Sequence, residues 1–121
     1  MIRDLSRARS QLFRIIQISN DMEPMNPMKY SNRHISHARF LMDAMPVAPK
    51  VYPKFGKSFL FSFGDSSSQF VELELFEDAS IRVFYKGRDG RYCTKDISIY
   101  SAVDFLKKIY PEGLFNESSA G

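Results

Sequence analysis

The sequence predicts an α+β domain in which two N-terminal helices precede a four-stranded antiparallel meander and a C-terminal helix. Apolar residues recur at helical spacing before residue 46, and apolar and polar residues alternate from 57 to 99. A capping-box-like pair, Ser101 and Asp104, then precedes a last apolar helix face. The 121 residues fit one domain, predicted over 1–115, with 116–121 as a flexible tail.

The first predicted helix runs from Ile2 to Ser19. Its apolar residues gather on one broad side of a helical wheel, and Arg3, Arg7 and Arg14 gather on the other side. This basic side is typical of a solvated helix face, or of a surface for phosphates and acidic side chains. Arg9 falls among the apolar residues, so we expect its guanidinium to meet a carboxylate or to extend to an edge.

The second predicted helix runs from Asn32 to Met45, with Ser31 as its N-cap. His34 and His37 lie three residues apart, but no Cys, Asp or Glu at suitable spacing completes a metal site. His34 lies beside the apolar face, and we expect a partly buried histidine there. After this helix, three prolines predict an extended connector to residue 55, where Lys50 and Lys54 alternate with aromatic residues.

The meander is predicted as strands at about 57–63, 69–77, 80–86 and 91–99, followed by a helix at about 102–110. A loop centred on Asp78 keeps the apolar residues of the second and third strands on one inner face. This register pairs Leu75 with Ile81, Leu73 with Val83, Val71 with Tyr85, and Glu74 with Arg82. The next strand places Cys93 on the same inner face, where we expect a small core residue.

The opposite, outer face of the meander is the predicted partner-binding site. It combines aromatic rings with charged side chains, a mixture that suits a protein partner. The residues assigned to it are Phe70, Glu72, Glu74, Phe76, Arg82 and Phe84. In the alternative, an N-terminal helix covers this face and makes it a second core.

Composition limits the possible classes of function. A net charge of +3 is too small to identify a nucleic-acid binder, and the single cysteine permits no internal disulfide and favours a cytoplasmic location. The N-terminus lacks the continuous apolar segment of a signal peptide, and no run has the length of a membrane span, so no membrane association is expected. No catalytic or metal-binding pattern is visible, so we expect a non-enzymatic protein without a cofactor.

A segment in the middle of the chain resembles small bacterial and phage accessory proteins of mobile elements and toxin-antitoxin neighbourhoods. The resemblance covers about a third of the chain. Its residues are Ile35, Ala38, Phe40, Leu41, Met45, Pro46, Pro49, Val51, Pro53 and Gly56. The resemblance implies a binding role in a mobile-element setting and no particular chemistry.

Two functions of different classes follow from these observations. The leading hypothesis is a protein-binding module of the inhibitor, antitoxin or immunity type, from a phage or mobile element and including anti-CRISPR-like inhibition. The alternative is a nucleic-acid-binding accessory protein, which would use the basic residues Arg3, Arg7, Arg14, Lys50 and Lys54. Another protein is the expected partner, and a homo-oligomer is compatible with either function.

Overall fold

The computed structural model describes residues 4–64, 69–87 and 89–109, and for Ile109 the backbone alone. These residues form three helices and one five-stranded antiparallel sheet. The helices are α1 (Ser6–Asn20), α2 (Asn32–Asp43) and α3 (Ile99–Ile109). The strands are β1 (Lys50–Lys54), β2 (Ser58–Gly64), β3 (Phe70–Phe76), β4 (Ser80–Lys86) and β5 (Tyr92–Ser98). Predictions for the tail at 116–121 and for Arg3 fall outside the described residues.

The five strands form a meander in chain order, from β1 at one edge to β5 at the other. The predicted register between β3 and β4 is confirmed at all four pairs, including Leu73 with Val83 and Glu74 with Arg82. The loop between these strands is centred on Asp78, whose carboxylate accepts from the Ser80 backbone N–H at 2.9 Å. Local alternation therefore specified this hairpin correctly.

The prediction of four strands was wrong by one, because β1 occupies part of the predicted extended connector. Its one proline is tolerated because β1 is an edge strand, where an N–H that faces away from the sheet has no ladder partner to lose. The outward N–H of Val51 donates instead to Gln11 Oε1 of α1 at 3.1 Å. Pro53, which has the same orientation two residues later, has no N–H to satisfy.

The three helices pack on one face of the sheet. α1 lies beside β1, α3 contacts β4 and β5, and α2 lies between the other two helices. The core beneath them contains Phe59, Phe61, Val71, Leu73, Leu75, Ile81 and Val83, all at most 2% exposed. α3 begins at Ile99, three residues before the predicted helix, so the last strand ends at Ser98 rather than at residue 99.

Tyr30 connects the segment between α1 and α2 to the first hairpin. Its ring stacks on Phe59 with centroids 3.9 Å apart, and its hydroxyl donates to the Ser58 carbonyl at 2.6 Å. The same hydroxyl accepts from the Lys54 N–H at 3.1 Å, so it bridges the ends of β1 and β2. Gly56 turns this hairpin at φ +82°, where an added Cβ would lie 2.6 Å from the Pro27 carbonyl oxygen.

Candidate partner-binding face

The outer face is the side of the sheet opposite the helices. Alternation along β2, β3 and β4 buries one set of side chains under the helices and leaves most of the other set half-buried or exposed. All six predicted partner-binding residues lie on it, namely Phe70, Glu72, Glu74, Phe76, Arg82 and Phe84. Within the described ranges no helix packs against this face, so the N-terminal helices do not make it a second core.

Three rings form an aromatic row across one end of the outer face. Phe70 and Phe84 stack with centroids 5.5 Å apart, and the edge of the next ring, Tyr92, meets Phe84 at 5.3 Å. Phe70 and Phe84 are half-buried, whereas Tyr92 is 63% exposed. Each strand from β3 to β5 contributes one ring, and the rings are diagonal neighbours on one face, since Lys86 is the residue directly paired with both Phe70 and Tyr92. The aromatic row is therefore fixed by the sheet and open to solvent.

The other end of the outer face carries charges that pair with each other. Arg82 Nε lies 3.1 Å from Asp96 Oδ1 on β5, and its guanidinium also lies over the Phe76 ring, 5.7 Å from the centroid. Although Glu74 is directly opposite Arg82 in the ladder, its carboxylate bonds to β1 and β2 instead. The predicted Glu74–Arg82 pairing is thus correct as register, but Arg82 takes Asp96 as its ion-pair partner.

Glu74 serves the structure of the sheet. Its carboxylate accepts from the Ser58 hydroxyl at 2.6 Å and lies 3.4 Å from Lys54 Nζ. Burial would raise the pKa of Glu74, but the Ser58 hydrogen bond and the charge of Lys54 outweigh it and hold that pKa below its usual value. Both contacts use Oε2, so one oxygen of Glu74 is committed to the sheet.

Glu72 is the carboxylate at the centre of the face. It is half-buried between Ser62 of β2 and Phe84 of β4, its directly paired neighbours. No ion pair joins it to another described residue. A partially desolvated carboxylate beside the aromatic row is suited to receive a cationic or hydrogen-bond-donating side chain.

Tyr92 and Lys86 belong to this face but were absent from the predicted site. Lys86 pairs directly with Tyr92 across β4 and β5, and its ammonium lies 6.0 Å from the centroid of the Tyr92 ring. The predicted inner-face position of Cys93 already put its neighbour Tyr92 on the outer face, and the alternation of the third predicted strand put Lys86 there. Strand alternation was therefore a sufficient signal for both residues.

The predicted basic site is only partly assembled. Arg7 and Arg14 are exposed on α1 and line a groove beside Val51 of β1. Lys50 precedes Val51 and is exposed, whereas Lys54 is engaged by Glu74. Arg9, expected to meet a carboxylate, lies 3.3 Å from Asp43 of α2.

The other reactive side chains have ordinary surroundings. His34 is buried, and its Nε2 lies 2.8 Å from the Leu75 carbonyl oxygen, as expected for a structural histidine. Cys93, expected in the core, is exposed, because the helices do not cover that end of β5. Across the described residues, no three His, Cys, Asp or Glu side chains are grouped to hold a metal ion, and no helix could cross a membrane.

Comparison with known proteins gives no relative. No protein-family model, no curated protein and no solved structure matches this chain significantly.

Proposed function

We propose that this chain is a non-enzymatic protein-binding module whose partner docks on the outer face of the sheet. The observation that carries the proposal is the aromatic row of Phe70, Phe84 and Tyr92, which lies open beside Glu72, a carboxylate that no described residue joins in an ion pair. In protein interfaces, a few aromatic anchors with a polar surround supply most of the binding energy. The outer face has this composition.

The arrangement of the outer face reduces the cost of binding. Phe70 and Phe84 stack on each other, and Arg82 is held between Asp96 and the Phe76 ring. Side chains that are ordered before binding lose less rotamer entropy on association. A partner can therefore bury the aromatic row without first rearranging its surround.

The proposed biological setting is that of an inhibitor, antitoxin or immunity protein of a mobile element, including anti-CRISPR-like inhibition. It rests on the resemblance of the segment from Ile35 to Gly56. The resembling residues Ile35, Ala38, Leu41 and Met45 are at most 5% exposed. Part of the resemblance therefore concerns the helical core, whereas Phe40, Pro53 and Gly56 are exposed, and the outer face would determine the partner.

Affinity purification from the native host with matched aromatic variants tests the proposal. Tyr92→Ala removes the exposed end of the aromatic row, and Tyr100→Ala removes a ring of similar exposure (63% against 71%) from α3. We expect one protein to copurify with the wild type and with Tyr100→Ala, and to be depleted with Tyr92→Ala. Direct titration of that protein with Phe84→Ala and Glu72→Gln then measures their contributions.

Two outcomes would contradict the proposal. One is a copurifying protein that Tyr92→Ala and Phe84→Ala retain as well as the wild type does. The other is recovery of nucleic acid in place of a protein. Because Tyr92 is exposed and Phe84 is half-buried on the sheet surface, both variants should fold, and circular dichroism checks this.

Nucleic-acid binding is the second candidate, and the groove lined by Arg7 and Arg14 beside β1 favours it. Neither arginine makes an ion pair with another described residue. Phosphate contacts would make binding steeply salt-dependent. Titration of short duplex and single-stranded DNA or RNA at low and moderate salt tests it, with Arg7→Gln and Arg14→Gln together as the variant. Absence of binding at low salt would eliminate this candidate.

A further inference from the structure

The two edges of the sheet differ in the state of their backbone groups. At β1, the outward N–H of Val51 is bonded to Gln11, and the next outward position is Pro53, which has no N–H. At β5, the described residues include no proline and no side chain bonded to an outward N–H. An edge without such protection can pair with another strand.

The hydrogen-bond phase of β5 follows from its hairpin. Gly87 N–H donates to the Arg91 carbonyl at 3.0 Å, and antiparallel ladders alternate between bonded and non-bonded pairs. Residues 93, 95 and 97 therefore bond to β4, as partners of residues 85, 83 and 81. Tyr92, Thr94 and Asp96 direct their N–H and C=O groups away from β4. Their side chains are exposed as well, so the edge is accessible.

The charges of β5 restrict how two copies of this edge can pair. Residues whose N–H and C=O groups point away from β4 must face the same kind of residue in the other copy. The two-fold axis between antiparallel copies therefore lies midway between one residue and its own copy, and is named below by that residue. Within Tyr92–Ser98, axes at Cys93 and at Ile97 pair only three residues each, an axis at Thr94 pairs residues 92–96, an axis at Lys95 pairs 92–98, and an axis at Asp96 pairs 94–98. Axes at Lys95 and at Asp96 place identical charges directly opposite, which is destabilising.

The axis at Thr94 avoids this repulsion. It places Thr94 opposite Thr94, the Tyr92 ring opposite Asp96, and Cys93 opposite Lys95. Threonine pairs are favourable cross-strand neighbours, and no like charges face each other. Lys95 lies on the inner face, and an inward-facing charge on an edge strand generally disfavours pairing. In this register Lys95 lies opposite the thiol of Cys93 in the other copy.

We propose that β5 is the interface with a second copy of this chain, paired antiparallel about a two-fold axis at Thr94. The two sheets would then form one continuous sheet with β5 of each copy at its centre. The aromatic rows of the two copies would lie on the same outer face, one on each side of the junction. This inference does not depend on the proposed function, since it rests on the open backbone edge of β5 and on the pairing of residues within that strand.

Sedimentation velocity over a wide range of protein concentrations tests the dimer. Thr94→Pro removes an N–H that β4 does not use and should raise the dimer dissociation constant at least about tenfold. Thr94→Lys places two ammonium groups at the axis and should raise it about fivefold. Ser36→Lys, at an exposed position of α2, adds the same charge away from β5 and should have no effect. Circular dichroism confirms that each variant folds.

Cysteine crosslinking tests the register. Lys95→Cys should form a covalent dimer on mild oxidation, because Cys93 and residue 95 are directly opposite in a non-bonded pair. Wild type should not crosslink through Cys93, and Lys95→Cys in a Cys93→Ser background should not crosslink either. Mass spectrometry of the linked peptides identifies the joined residues.

Three results would overturn the inference. The first is a monomeric wild type at every accessible concentration. The second is a dimer whose dissociation constant is unchanged by both Thr94→Pro and Thr94→Lys. The third is crosslinking of residue 95 to itself, or of Cys93 to itself, which would place the axis elsewhere.

Discussion

The two faces of one sheet differ in how their aromatic residues are used. On the inner face, Phe59 and Phe61 are fully buried under the helices, so their rings contribute to folding. On the outer face, Phe70 and Phe84 stack on each other but remain partly in water. The same residue type in neighbouring strands thus stabilises the fold on one side and stays partly exposed, at the proposed docking face, on the other.

Matched phenylalanine truncations give the largest expected difference between the faces. Phe61→Ala leaves a cavity in the core and should lower the free energy of unfolding by about 3–5 kcal/mol. Phe84→Ala removes a half-buried ring and should cost about 1 kcal/mol. Urea denaturation measures both, and equal costs would show that the outer face is as much a core as the inner one.

Tyr30→Phe tests the hydroxyl that bridges β1 and β2 at the inner face. The change leaves the Lys54 N–H and the Ser58 carbonyl without their shared partner, which should cost about 1–3 kcal/mol. Tyr52→Phe is the control, because Tyr52 lies on the outer side of β1 with 47% of its surface exposed. It should change the free energy of unfolding little, and a similar loss in both variants would argue against the bridge.

Protonation of His34 tests how completely the inner face is shielded from water. Burial lowers the pKa of His34 below its usual value of 6.5, against the opposing effects of the Leu75 carbonyl and nearby carboxylates. Near and below pH 6.5 the unfolded chain therefore binds more protons than the folded chain. The free energy of unfolding should fall as the pH drops from 6.5 toward the folded-state pKa. Chemical denaturation between about pH 5 and 8 measures the slope. The slope should weaken in His34→Gln, and an unchanged slope would exclude His34 as its cause.

The smallest expected effect concerns the turn that joins β3 to β4. Ala79 has φ +70°, a left-handed conformation that strains a residue with a Cβ. Ala79→Gly should raise the free energy of unfolding by about 0.5–1 kcal/mol after the entropy of glycine is counted. The reverse change, Gly90→Ala, meets no atom within 4 Å at φ +81° and should lower it by about 1 kcal/mol. A lower free energy of unfolding in Ala79→Gly would mean that packing of the Ala79 methyl group against the core outweighs the backbone strain.

The sequence predicted the parts of the fold that local patterns control. Alternation on either side of Asp78 specified the β3–β4 register, because a slip by one residue would expose the whole apolar set. The same alternation assigned the six outer-face residues. Alternation does not show whether a helix covers a given stretch of the inner face. The prediction of a core position for Cys93 was wrong for that reason, since Cys93 is exposed.

The missed strand depended on a contact that is distant in sequence. The prolines around residues 46–53 predict an extended connector when only near neighbours are considered. Pairing with Ser58–Gly64 and the hydrogen bond from Val51 to Gln11, forty positions away, make part of it β1. Nothing local marks either partner, so an edge strand that contains proline is difficult to predict from sequence.

The protection of the β1 edge limits the size that an assembly can reach. A sheet with two open edges can add copies indefinitely and form a fibre. Here Gln11 and Pro53 block pairing at the β1 edge. In a dimer joined at β5, both outer edges of the sheet would be blocked β1 edges. Assembly through the sheet would therefore end at two copies, and Gln11→Ala, which leaves Pro53 in place, would remove only one of the two barriers to further growth.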